Sequence, residues 1–163
     1  MKRNCMTKDE NFERSLMIKL TIELVPETSW FSNLRSILKK QDWDTLRKET
    51  YNLAKYRCEI CGGKGERWAV ECHEVWEYDD ENKIQMLKKL IALCPSCHEV
   101  KHLGYANIQN RGEIAIKHLA KINNWSIAEA ETYAEQCFKV WHWRSKFNWQ
   151  LDLSYLERLD MNI

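Results

Sequence analysis

Residues 58–61 read CEIC and residues 94–102 read CPSCHEVKH, with ECHE at residues 71–74 between them. The two Cys-x-x-Cys pairs, Cys58 with Cys61 and Cys94 with Cys97, bring four thiolates to a spacing that can close one tetrahedral metal site. Such a site staples two segments that residues 62–93 separate, and it predicts a structural zinc ion on four cysteines. A four-cysteine iron site would use the same ligands. A thioredoxin-like redox pair needs one motif in a strand-to-helix context, not two knuckles. Cys94 to His98 also fits the c-type haem attachment pattern, against which stands the second cysteine pair.

Working outward, Gly62, Gly63 and Gly65 supply the tight turns a metal knuckle requires. Residues 68–76 read as a strand carrying His73, residues 78–83 (YDDENK) as a turn, and residues 90–93 as a second strand. Pro95 and Ser96 open a helix over residues 97–103, which places His98 and His102 one turn apart on one face. Upstream, IKLTIEL at residues 18–24 alternates apolar and polar with period two and predicts a strand ended by Pro26. A short helix is expected over residues 30–38. A second opens near Asp42, with Trp43, Leu46, Tyr51, Leu53 and Ala54 on its apolar face. Downstream, residues 111–122 are helical. Ser126 with Glu129 forms a capping box for a helix reaching about Arg144. Residues 149–153 alternate again and are expected to pair with residues 18–24. Residues 1–15 are polar and read as a loose tail.

The 163 residues suit one domain, and the net charge of +1 gives no global signal for nucleic acid. A polyanion site must therefore come from local clusters: Arg35-Lys39-Lys40, Arg47-Lys48, Lys83 to Lys89, or Arg144 with Lys146. Each is equally consistent with a solvated helix or strand face. No apolar run resembles a signal peptide or spans a membrane, so a cytoplasmic protein with no membrane partner is expected. In a reducing compartment the cysteine pairs read as metal chemistry rather than disulfides. Cys5 falls in the tail, and Cys137 reads as a small buried hydrophobe.

The pieces RCEICGG, ECHE and IALCPSCHEVKH resemble the HNH endonuclease family, a branch of the ββα-metal (His-Me finger) nucleases, over about residues 56–105. The resemblance implies an α+β fold: a zinc-stapled ββα-metal core at 56–105 within a single domain 1–163. An N-terminal strand and helices (16–55) and a C-terminal helical extension with a final strand (106–163) flank it, the two terminal strands forming a small sheet. It implies that His73 is the general base, that His98 and His102 bind a catalytic divalent cation, and that Cys58, Cys61, Cys94 and Cys97 hold zinc. That cation would be Mg2+, Mn2+, Ni2+ or Zn2+. The implied activity is hydrolysis of phosphodiester bonds in DNA, RNA not being excluded.

Two positions depart from the family pattern. Cys72 stands where an Asp or His usually precedes the base, and Lys89 stands where an Asn orients it. Strand alternation puts Glu71 on the face of His73, where it can help hold the cation, and Cys72 and Glu74 on the other. Asn82, in the preceding loop, is a candidate substitute for the Asn, and Lys89 a candidate phosphate contact. The alternative reading is a zinc-stabilised nucleic-acid- or protein-binding module without activity.

Eight tryptophans are many for this length. Trp141 falls on a helical stripe and reads as core. Trp143, beside Arg144 and Lys146, and Trp149 read equally as core or as stacking surface for bases. Trp30, Trp43, Trp68 and Trp76 read as packing around the metal unit.

Overall fold

Cys72 and Glu74 point one way from the first strand of a hairpin, Glu71 and His73 the other, and this alternation organises the molecule. The computed structural model describes residues 18–159; the tail expected at residues 1–15, with Cys5, lies outside them. Strand β1 (Glu71–Asp79) pairs antiparallel with β2 (Ile84–Leu93). The register slips between Val75 and Trp76, where β2 carries one residue more. The turn is set by Asp79, whose carboxylate accepts the N–H groups of Glu81 and Asn82 at 3.0 and 2.9 Å. Both strands are longer at the turn than the sequence suggests. A polar, half-exposed hairpin end carries little apolar signal, yet its ladder holds.

Helix α1 (Leu34–Ile37), α2 (Lys40–Leu53) and α7 (Ser154–Glu157) pack with Leu87, Trp76 and Leu90 in one cluster built on Leu34, Leu38, Leu46 and Leu156. Cys72 donates to the Thr50 hydroxyl on α2, and Glu74 accepts the Leu34 N–H at 2.8 Å. On the opposite face lie α3 (Pro95–Lys101), α4 (Leu103–Ile108), α5 (Gly112–Asn123) and α6 (Ile127–Arg144). Leu20, Ile91, Leu93, Val100, Leu103 and Leu119 make their core. The fold is thus mixed α+β, with seven α-helices and a three-stranded sheet among the described residues.

The expected terminal sheet is corrected. Residues 18–24 form no strand, with a bend at residues 19–20, and β3 (Gln150–Asp152) instead joins β2 in parallel. The period-two pattern reports one-sided burial, with Leu20 and Ile22 in the core. Backbone donors go elsewhere: the N–H groups of Lys19 and Leu20 to the Asn123 side chain, and that of Glu23 to the Lys101 carbonyl. The sheet order is β1-β2-β3, so among the described residues β1 is an edge strand.

Smaller corrections share one cause, that periodicity does not say which surface a neighbour covers. A 3-10 turn (Glu27–Ser29) and α1, capped by Asn33, replace the single helix expected at 30–38. Leu53 is 85% exposed, while α2 buries Leu46, as expected, and Thr50. Trp30 and Trp68 are half exposed. The helix after the second cysteine pair breaks at His102, which ends α3 and starts α4. The Ser126–Glu129 capping box forms as expected. In urea titrations, Leu119→Ala, at a fully buried position on α5, is expected to cost about 2–5 kcal/mol. Ser126→Ala should cost about 1 kcal/mol.

Candidate active site and metal centre

Cys58, Cys61, Cys94 and Cys97 converge, their sulfur atoms all lying within 4.8 Å of one another. Cys61 and Cys94 are 3.6 Å apart through sulfur. A disulfide needs about 2.05 Å. Two thiolates on one tetrahedral zinc, at Zn–S distances of about 2.3 Å, stand about 3.8 Å apart. The geometry therefore fits a metal such as zinc.

The loop is shaped for this. Gly62 adopts φ +72° in the first knuckle, a conformation that suits glycine. A Cβ on Gly65 would collide with the Trp68 carbonyl and the Pro95 ring, so only glycine lets the first knuckle press onto the start of α3. The Gly63 N–H points at the Cys61 sulfur at 3.4 Å. Donation from Cys97, with help from backbone N–H groups, brings Cys58 down to about 4, against its burial. Burial pushes Cys94 up to about 11. Crowded thiols of this kind ionise together only around a cation. His118 on α5 reaches the same cluster, its Nε2 lying 3.2 Å from the Cys97 sulfur.

His73, from β1, meets His98 and His102, from α3 and its end. The ring of His73 lies 5.4 Å from that of His98 and 5.1 Å from that of His102, centroid to centroid. The three rings offer nitrogen atoms that all lie within 4.8 Å of one another, a second group able to hold a metal ion. His98 and His102 approach through Nε2 at 3.1 Å. Two imidazoles on one ion at about 2.0–2.1 Å would stand about 2.9 Å apart at a right angle and about 3.4 Å apart in a tetrahedron. The observed separation falls between. Imidazole donors suit zinc or nickel better than magnesium or manganese.

Carboxylates fix two of the rings. Glu71, on the same strand face as His73, accepts from His98 Nδ1 at 2.6 Å. Its other oxygen accepts from the Trp68 indole at 3.1 Å. This leaves the His98 Nε2 lone pair turned toward His102, an arrangement usual for a histidine that ligates metal. Glu23 accepts from His73 Nε2 at 2.8 Å, which leaves the lone pair of His73 on Nδ1. The buried Lys101 ammonium bonds the second oxygen of Glu23 and the Thr21 hydroxyl.

Burial alone would raise the Glu23 carboxyl, but the bond from His73 and the charge of Lys101 outweigh it and hold it at about 2. Burial lowers His73, against the bond to Glu23, and it brings His102 down to about 3 with help from the neighbouring rings. Both rings are neutral near pH 7, the form that ligates a metal or accepts a proton. The bond from His98 lowers Glu71, while burial raises Glu74.

The remaining expected contacts are placed differently. Lys89 is exposed on β2 opposite Val75, and it shares the sheet face of His73 without reaching the cavity described below. Asn82 bonds Asp79 at the far end of the hairpin, so it does not stand in for an Asn beside His73. The Arg144 guanidinium forks onto Asp80 through two bonds of 2.8 Å and covers the Tyr78 ring, pinning α6 to the hairpin. Lys146 is exposed. Cys137 is half buried against the core, and burial raises its thiol.

Sequence reasoning missed Glu23, Lys101 and His118. Glu23 sits fifty positions from His73, and only its place on the polar side of an alternating segment hinted that it faces something other than solvent. His73, His98 and His102 line a cavity of about 1060 Å3. Trp30, Trp43, Trp76 and Trp141 are among its walls. No family model, no curated protein and no solved structure matches the chain.

Proposed function

We propose that the protein is a metal-dependent endonuclease of the HNH type, hydrolysing phosphodiester bonds in DNA. The observation that carries this is the convergence of His73, His98 and His102, with carboxylates setting the tautomers of two of them. In this reading the four-cysteine site holds zinc and is structural. Four thiolates leave no open position on the ion, and its work is to fix the root of β1 and β2 against α3. His98 and His102 hold the catalytic cation, and Glu71 keeps His98 turned toward it. When bound, that cation stabilises charge developing on the phosphate and the leaving oxygen.

His73 is the general base. Its neutral ring takes the proton of the attacking water at Nδ1, because Glu23 occupies Nε2. The imidazolium that results is stabilised by the same carboxylate. Glu23 thereby serves the orienting role that an Asn plays in the family pattern, where this chain has Lys89. Lys101 fixes Glu23 in turn.

The alternative is a zinc-stabilised binding module, favoured by Cys72 and Lys89 at two family positions. A cleavage assay on plasmid DNA and on circular single-stranded DNA separates the two. Cleavage of at least one of the two is expected, with nickel or zinc above magnesium or manganese on the donor set described, and none from a His98→Ala/His102→Ala variant. Protein that cleaves neither DNA nor RNA with any of the four cations, yet binds them with steep salt dependence, is the binding module.

A further inference from the structure

We infer that the aromatic cavity above the histidines takes an unpaired nucleotide, so that the substrate of this site is single-stranded nucleic acid. The inference rests on the endonuclease reading for its chemistry, but on separate residues for its recognition. A space of about 1060 Å3 has room for a single nucleotide. Rings on its walls can stack only on a base whose face is free, and in a duplex both faces are covered by the neighbouring pairs.

The walls are suited to a flat base. Trp30 and Tyr105 line the cavity and are 51% and 54% exposed, large aromatic surfaces left in water without a partner ring among the described contacts. Trp141 lines it further in. Its indole N–H is committed to the Val25 carbonyl at 2.9 Å, and its ring stands edge-on to Phe138, so its orientation is set before a ligand arrives. Bases of any identity stack on such rings, whereas the backbone of an intact duplex offers them nothing.

Charge permits the approach. Of the carboxylates along the cavity, Glu23 is neutralised by Lys101, Glu99 by Arg111, and Glu71 is bonded by His98. Glu74 accepts the Leu34 N–H. Arg35 is exposed along the same cavity and has no ion pair among the described residues. A phosphate brought toward the histidines thus finds two of the four carboxylates ion-paired and Arg35 beside its path.

The test is binding of fluorescein-labelled oligonucleotides to the zinc-loaded protein at fixed salt, without added catalytic cation. Three probes are compared: a single-stranded 12-mer, the same sequence as duplex, and a single strand with abasic sites. Single strand is expected to bind at least about tenfold tighter than either, with quenching of tryptophan fluorescence. Trp30→Ala and Tyr105→Ala should each lose roughly five- to a hundred-fold for the single strand only. Duplex or abasic strand bound as tightly as the intact single strand overturns the inference, as does absence of binding to all three. Single-strand preference without cleavage under any cation leaves the recognition standing and removes the endonuclease reading. Cleavage with equal binding of all probes does the reverse.

Discussion

His73→Ala is expected to leave the protein folded and loaded with its catalytic cation while cleavage falls by about 10²–10⁴-fold, the usual worth of a general base. His73 is buried, so the variant opens a small space, but Glu23 keeps its bond to Lys101 and no carboxylate is stranded. His73→Gln, closer in volume, repeats the measurement with less perturbation. The rate and the cation are read separately, by single-turnover cleavage and by titration of manganese or nickel. Lost rate with unchanged cation affinity assigns His73 as base. Lost affinity assigns it instead as a third ligand, since its ring nitrogen lies within reach of the other two.

Glu23→Gln provides the companion measurement. Its amide can still accept from His73 but carries no charge to stabilise the imidazolium. The rate should fall by about tenfold or more with KM and cation affinity unchanged, in keeping with the loss of a charge-assisted hydrogen bond.

Cys94→Ser is expected to lose zinc and with it the fold of the central part of the chain. Structural zinc contributes about 10–16 kcal/mol in small metal-bound units, as much as the whole stability of an ordinary domain, about 5–15 kcal/mol. Metal analysis and circular dichroism together decide it. Undiminished zinc in the variant would refute the four-cysteine assignment. Cys72→Ser is the control, because Cys72 faces Thr50 on the other side of the sheet. It should keep its zinc and its structure.

The metal cluster was legible because ligand spacing is a local property. Two Cys-x-x-Cys pairs each place their sulfurs within one turn of chain, and joining the pairs needs only that the hairpin between them be closed. The same holds for Glu71 beside His73, where strand alternation sufficed, and for the Ser126–Glu129 capping box. The terminal strand was misread because alternation records which side of an extended segment is buried. It does not record whether the backbone finds a ladder, and here Asn123 and Lys101 take those hydrogen bonds.

The sequence by itself determined the four-cysteine cluster, the hairpin-then-helix order and the three histidines, all written within residues 56–105 at separations that secondary structure converts directly into shared faces. Only the tertiary structure decided what surrounds them. Glu23 reaches His73, Lys101 reaches Glu23 and His118 reaches Cys97 because helices and an extended segment pack on one face of a sheet. Trp30, Trp43, Trp76 and Trp141, far apart in sequence, come to line one cavity with the histidines. Those pairings depend on burying apolar surface among distant segments. Hydrophobic burial is non-directional, so the pattern of one chain does not state which distant side chains it will bring into contact.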